Sequence, residues 1–184
     1  SECQDGTNVL ASSWSDVNVE QALDMATGNY RQSAGARDED SIPVLKDFFL
    51  KYTHETKIKH ACEYYPRKNV PGTRFAYHSS DTYVAGVAMD NYTRGDLFNK
   101  LVAEVYKPLQ LSPATYTTVR TQELPAQPFW SHGMNWHADD MIKLGLLINQ
   151  RGVIKGKQIL DGAIMDDMLG NGSDAGLPAT SSGT

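Results

Sequence analysis

Apolar residues in this chain recur at helical rather than strand spacing, and capping residues, glycine and proline cut the runs short. Such punctuation restricts the chain to a packing of brief helices joined by loops. Asn18-Val19-Glu20-Gln21 has the form of a capping box, with Asn18 as N-cap and Gln21 as its reciprocal partner. Val19, Ala22, Leu23 and Ala26 then follow a helical period, and Gly28 is placed to supply a left-handed stop. A second helix is expected from about Ile42 to Tyr52, with Pro43 in its first turn and Leu45, Phe48, Phe49 and Tyr52 apolar.

From Thr53 to Val70 charged and aromatic residues follow no clear period, which predicts loop or irregular structure. Helices are expected again near Thr82 to Asn91 and from Asp96 to Tyr106. In the latter, Phe98, Leu101, Val102 and Val105 form one face and Pro108 closes it. A polar connection from Ser112 to Pro128 leads to a helix over Ala138 to Asn149, with Met141, Leu144, Leu147 and Ile148 facing inward. Gln150-Arg151-Gly152 and Lys155-Gly156-Lys157 read as tight turns around a short extended piece, ahead of a small helix from Asp161 to Leu169. The expected fold class is mostly α. Residues 1–169 read as one partial domain, and 170–184 as a flexible loop or tail with little that could pack.

Charge narrows the partners. A net charge of −5 over 184 residues offers no broad basic field, so nucleic acid is not an expected partner. No apolar run approaches the roughly 20 residues of a membrane-spanning helix. SECQDGTNVLASSW has neither the basic start nor the apolar stretch of a signal peptide. Cys3 and Cys62 allow one bridge in an oxidising compartment, or remain two thiols.

Several strong signatures are missing from the sequence: the phosphate-binding G-x-x-x-x-G-K-[ST], the H-E-x-x-H zinc helix and the G-x-S-x-G nucleophile elbow. His132 and His137, with Asp139 and Asp140 behind them, could ligate a metal only if a loop folded the two together, because their spacing is not that of one helix face. Neither a metal nor a cofactor is expected, and Asp139 and Asp140 read as first-turn helix charges. His54 and His60 are expected at the surface. Phe129, Trp130 and Trp136 could fill the core or line a pocket.

The segment PGTRFAYHSSDTYVAG, residues 71–86, concentrates tyrosine, serine, histidine and aspartate between a turn signal and an apolar run. On local grounds Tyr77 is a half-buried tyrosine before a helix capped by Ser79 or Ser80. Four segments, however, resemble in order the serine β-lactamase-related hydrolases, the family of class C β-lactamases, esterases and penicillin-binding proteins. They are VNVEQALDMATGNY, PGTRFAYHSSDTYVAG, LFNKLVAEVYKPLQLSPATYTT and SHGMNWHADDMIKLGLLINQRGVIKGKQIL.

That resemblance implies a helical region of an α+β fold, whose cleft lies between a helical and an α/β domain. It places Tyr77-His78-Ser79 on the family's Tyr-x-Asn motif. Tyr77 would then be the catalytic proton carrier and Ser79 a substrate-binding group in the place of asparagine. A hydroxyl cannot present the paired donor and acceptor of an amide, so the exchange fits an esterase or amidase better than a β-lactamase. In a second register Ser80-Asp81-Thr82 resembles a Ser-Asp-Asn motif, with Ser80 in the role of Tyr77. No serine here has lysine three positions later, and no Lys-Thr-Gly follows. The chain thus resembles the central segment of such an enzyme, inactive alone, or a helical binding module derived from one. Implied with it are a small ester, amide or lactam substrate, a periplasmic or extracellular setting, and self-association through apolar faces that missing strands leave uncovered.

Overall fold

The computed structural model describes residues 13–31, 47–77 and 79–170. About half of the described chain is helical, and it carries one two-stranded sheet. The helices are α1 (Val19–Leu23), α2 (His54–Glu63), α3 (Ser79–Tyr92), α4 (Leu97–Leu101), α5 (Ala138–Asn149) and α6 (Gly162–Met168). Contacts divide the described chain into two compact units: residues 13–31, 47–77, 79–92 and 120–132 form one, and 93–119 with 133–170 form the other.

In the first unit α3 is the central helix, with α1 and α2 packed on it. Its residues are small or apolar nearly all round, so Ser79, Ser80, Asp81, Tyr83, Val84, Ala85, Gly86 and Val87 are all buried. A helix buried on every side loses its amphipathic stripe, which is why its first turn was not legible and the expected start fell at Thr82. Gly86 makes the close approach possible, since a Cβ there would sit 2.2 Å from the Trp130 Cβ. Phe48 and Tyr83 are wholly buried beside it, their rings edge to face at 5.8 Å. Each such burial stabilises the fold by about 1.5–3 kcal/mol.

The capping box of α1 forms as expected: Asn18 Oδ1 accepts from the Gln21 amide at 2.8 Å, and Gln21 Oε1 from the Asn18 amide at 3.0 Å. The helix ends sooner than expected, at Leu23, and Met25, with φ 51°, makes the left-handed turn next to its end; Gly28 is left-handed too, at φ 76°, but lies beyond it. The reason is a competing backbone ladder. Ala76 N–H donates to Met25 O, Gly72 N–H to Ala26 O, and Lys68 N–H to Gly28 O, at 2.9, 2.7 and 2.8 Å. Of the expected second helix, Asp47–Leu50 forms a 3-10 turn, and residues 42–46 lie outside the described residues.

Thr53 to Val70 is irregular only in its second part, Tyr64 to Val70. The first part contains α2, whose N-cap Thr53 accepts from the Thr56 amide. Two polar residues on its buried face hid the period: Lys57 is 0% and His60 1% exposed, beside Ile58, Ala61 and Cys62. His60 is therefore a core residue, stacked on Tyr64 at 4.4 Å, and not a surface one. Lys57 Nζ donates to Phe48 O at 2.9 Å and lies 4.2 Å from the ring centres of both Phe48 and Phe129. Aromatic faces and a carbonyl replace part of the water the ammonium gives up. Glu123 Oε1 accepts from the His54 amide at 3.0 Å, adding a carboxylate at the N-terminus of α2. Cys62 is buried and disulfide-bonded; Cys3 lies outside the described residues.

In the second unit α4 runs on into a π-helical turn, Val102–Tyr106. Phe98 is buried rather than uncovered, and Trp136 packs edge to face on Tyr106 at 5.8 Å. Helix α5 keeps its expected bounds but turns a different face inward. Asp140, Leu144 and Leu147 make the covered stripe, whereas Met141 is 55% and Ile148 41% exposed. The cause is Asp140: Ser112 donates to its carboxylate through N–H at 2.8 Å and Oγ–H at 2.5 Å. These bonds draw a first-turn charge into the interior and hold its pKa below the usual carboxylate value. The chain then turns through β1 (Val153–Ile154) and β2 (Lys157–Gln158), an antiparallel pair in the register Val153 to Gln158, before α6. Asp161 caps α6, and Ile164 and Met168 on it stay exposed. The proposed tail lies outside the described residues beyond Gly170.

Two tests follow from this packing. Gly28 has φ +76°, and a Cβ on it would lie 2.2 Å from the Asn69 carbonyl oxygen, whereas Gly156, at φ +78°, has open space around it. Gly156→Ala should cost only the left-handed backbone penalty of roughly 1–2 kcal/mol. Gly28→Ala should cost clearly more in urea unfolding, because backbone must shift.

The second test concerns His132, packed on Phe129 at 4.9 Å and Phe49 at 5.2 Å. Burial, and then the Lys57 charge, lower its pKa from the ordinary 6.5. The folded state therefore favours neutral His132, and the unfolded chain takes up the proton first. Stability should be fully present above about pH 6.5 and decline as pH falls towards 5, and His132→Phe should remove that decline. The carboxylates of Asp16, Glu123 and Asp140, with lowered pKa values, act only at more acidic pH.

Candidate functional site

The segment Pro71–Gly86 crosses from loop to central helix. Pro71 and Gly72 form a turn, with Gly72 at φ +80°, which brings the chain back along Met25–Gly28 through the ladder described above. Tyr77 follows Ala76 and stands two residues before α3, with 41% of its surface exposed. Helix α3 starts at Ser79, so Ser79 and Ser80 are first-turn residues and not its N-cap. The cap position falls at His78, outside the described residues.

These residues differ sharply in access. Ser79 is 6% exposed, and Ser80 and Asp81 are 0% exposed. Thr27 Oγ1 donates to Asp81 Oδ2 at 2.9 Å, tying the first turn of α3 to the strand-like segment after α1. Tyr77 is thus the member of the Tyr77-Ser79-Ser80 group with substantial surface to offer a second molecule. Its phenol can accept or donate one proton, which is the chemistry of a general acid or base.

The remaining candidates fall in separate places. Phe129 is core, enclosing Lys57 and His132, and Trp130 packs on Gly86 in the same unit. Trp136 serves the core of the other unit. His132 lies among aromatic rings with Ser131 Oγ at 3.0 Å from Nδ1, and His137 precedes α5 as its cap residue. Among the described residues no group of three or more His, Cys, Asp or Glu side chains could hold a metal ion. Nor is any described helix long and apolar enough to cross a membrane.

Sequence reasoning missed one polar cluster in the first unit. His54 Nδ1 lies 3.1 Å from the Tyr83 hydroxyl, and burial, with the Glu123 charge, raises the Tyr83 pKa. Tyr83 is wholly buried, so this cluster joins α2 to α3 rather than facing solvent. The spacing of these residues in sequence carries no signal for it.

No family model and no curated protein matches this chain. Among solved structures, a Bacillus anthracis protein assigned as a 6-aminohexanoate-dimer hydrolase is similar over 90% of this chain, with a TM-score of 0.59 and 17% identity. The match covers 46% of that protein, so this chain spans about half its length. The neighbour has the β-lactamase and penicillin-binding-protein-like serine hydrolase fold, and the chain is coarsely related in fold to part of it.

Proposed function

We propose that this chain is the helical, tyrosine-bearing part of a serine hydrolase of the β-lactamase-related type. Its substrate is a small ester, amide or lactam, with ester or amide favoured because Ser79 stands where the family has asparagine. The observation that carries this reading is the placement of Tyr77: exposed, immediately before a buried helix, in a chain whose fold is coarsely that of such hydrolases. The full burial of Ser80 favours Tyr77 over Ser80 for the proton-carrying role.

The nucleophile lies outside this chain, which has no Ser-x-x-Lys. In the complete enzyme the serine Oγ attacks the substrate carbonyl, and its proton passes to the Tyr77 oxygen as the Oγ–C bond forms. Tyr77 then returns that proton to the leaving oxygen or nitrogen as its bond to carbon breaks, leaving an acyl-enzyme. Water attacks that ester in the second half, with the same proton shuttle reversed. The Tyr77 oxygen accepts that proton as a phenolate, a form that positive charge beside it favours, and the nucleophile's lysine supplies that charge in such sites. Ser79, only 6% exposed, holds the substrate-orienting place of the family motif in this reading and is secondary to Tyr77.

An acylating serine-reactive probe, applied to the full-length protein that contains this chain, should form one covalent adduct. Tyr77→Phe should slow adduct formation by about 10²–10⁴-fold without loss of folding. Unchanged labelling in Tyr77→Phe, or no adduct on the folded full-length protein, refutes the assignment.

A further inference from the structure

We infer that Thr27 and Asp81 are positioning residues for Tyr77, acting at the buried head of a polar chain that continues through Asn29 and Arg67 to Asp16 at the surface. The inference rests on the reading of Tyr77 as the proton carrier. Its structural content can be tested separately.

Tyr77 is held from both sides, and both holds land on the same short segment. On its N-terminal side the Ala76 amide donates to Met25 O at 2.9 Å. On its C-terminal side Asp81, in the first turn of α3, accepts from Thr27 Oγ1 at 2.9 Å. The backbone before the tyrosine and the helix turn after it are therefore both tied to Met25–Thr27.

The segment is itself fixed. Thr27 is 1% exposed, and its hydroxyl gives its one proton to Asp81 while accepting from the Asn29 amide at 3.2 Å. A hydroxyl so used has no free rotor. Asn29 is fully buried; its Nδ2 donates to Ser13 O at 3.1 Å, and its Oδ1 accepts from Arg67 Nε at 2.9 Å. Arg67 closes the chain on Asp16 with two parallel bonds, at 3.1 and 2.6 Å. A bidentate pair fixes a guanidinium plane, which a single contact does not.

The arrangement matters because proton transfer requires heavy atoms about 2.6–3.2 Å apart, and a misplacement of ~1 Å costs about 10²-fold in rate. A residue standing 41% exposed is not enclosed by packing, so the backbone that carries it matters for holding it in that range. Fixing the backbone on both sides supplies the order that packing does not.

The test uses this chain with ring-labelled tyrosine, the Tyr77 resonance being identified by its loss in Tyr77→Phe. In Thr27→Val, exchange of the Ala76 amide should rise about tenfold or more, as expected for a lost hydrogen bond, and the Tyr77 ring signal should shift or broaden. Amides of α2 and α5 should keep their rates, and Thr27→Ser, which retains the hydroxyl, should retain the native pattern. Arg67→Gln, at the far end, should give the same local pattern more weakly, and it serves where Thr27→Val does not fold.

Unchanged Ala76 exchange and Tyr77 signal would overturn the inference. So would a rise of equal size in α2, or a Thr27→Ser protein that behaves as Thr27→Val does. The catalytic reading fails by a different observation, unchanged probe labelling in Tyr77→Phe, and that result leaves the ordering of Tyr77 by Thr27 and Asp81 intact.

Discussion

The first unit depends on a carboxylate that water does not reach. Asp81 is wholly buried on the first turn of the central helix, where a lone charge costs several kcal/mol. Two features offset that cost. The backbone amides at the start of a helix present a favourable field to a carboxylate, and the Thr27 hydroxyl donates directly to it. Because Thr27 is in turn held by Asn29, and Asn29 by Arg67, satisfying one buried charge fixes the segment Met25–Asn29. The ladder that returns Gly72 and Ala76 to that segment then determines where Tyr77 stands. The accessible residue of the candidate site is thus placed by inaccessible ones.

Lys57 and Asp140 repeat the same physics elsewhere. The Lys57 ammonium sits between the Phe48 and Phe129 rings and donates to a carbonyl, and its charge contributes to keeping His132 neutral. Asp140 takes two hydrogen bonds from Ser112 and thereby decides which stripe of α5 is covered. In each case a residue type normally found at the surface is drawn inward by specific partners, and the local helix turns to accommodate it. The consequence in α5 is visible outside: Met141 and Ile148 are left exposed although their spacing belongs to an apolar face.

The coarse fold relation to a hydrolase is in keeping with the resemblance of the four ordered segments. At 17% identity the structural likeness speaks to the fold. The chemistry is argued from Tyr77 itself, from its exposure and from the buried serines after it. Fold and site point the same way, and a residue-level assignment rests on the second of these.

Where local chemistry alone decides structure, the sequence sufficed. The Asn18–Gln21 box, the bounds of α5 and the turn glycines 152 and 156 around the hairpin follow from hydrogen-bonding groups and permitted backbone angles within a few residues. The segment holding Tyr77 was legible for the same reason, through its order of residue types. Helix α2 was not legible, because Lys57 and His60 interrupt an apolar period, and the burial of Lys57 is explained by the Phe48 carbonyl outside the helix and by the Phe129 ring far along the chain. The early end of α1, the inward turn of Asp140 and the start of α3 at Ser79 have the same origin. Each depends on partners between 28 and 54 positions away, such as Ser112 for Asp140 and Thr27 for Asp81. The sequence by itself determined which short elements can form and that Tyr77 lies at a boundary between them. Only the tertiary structure decided which charges are buried, and hence which segment the backbone beside the exposed Tyr77 is tied to, because the energy of a buried charge depends on partners that only folding brings near.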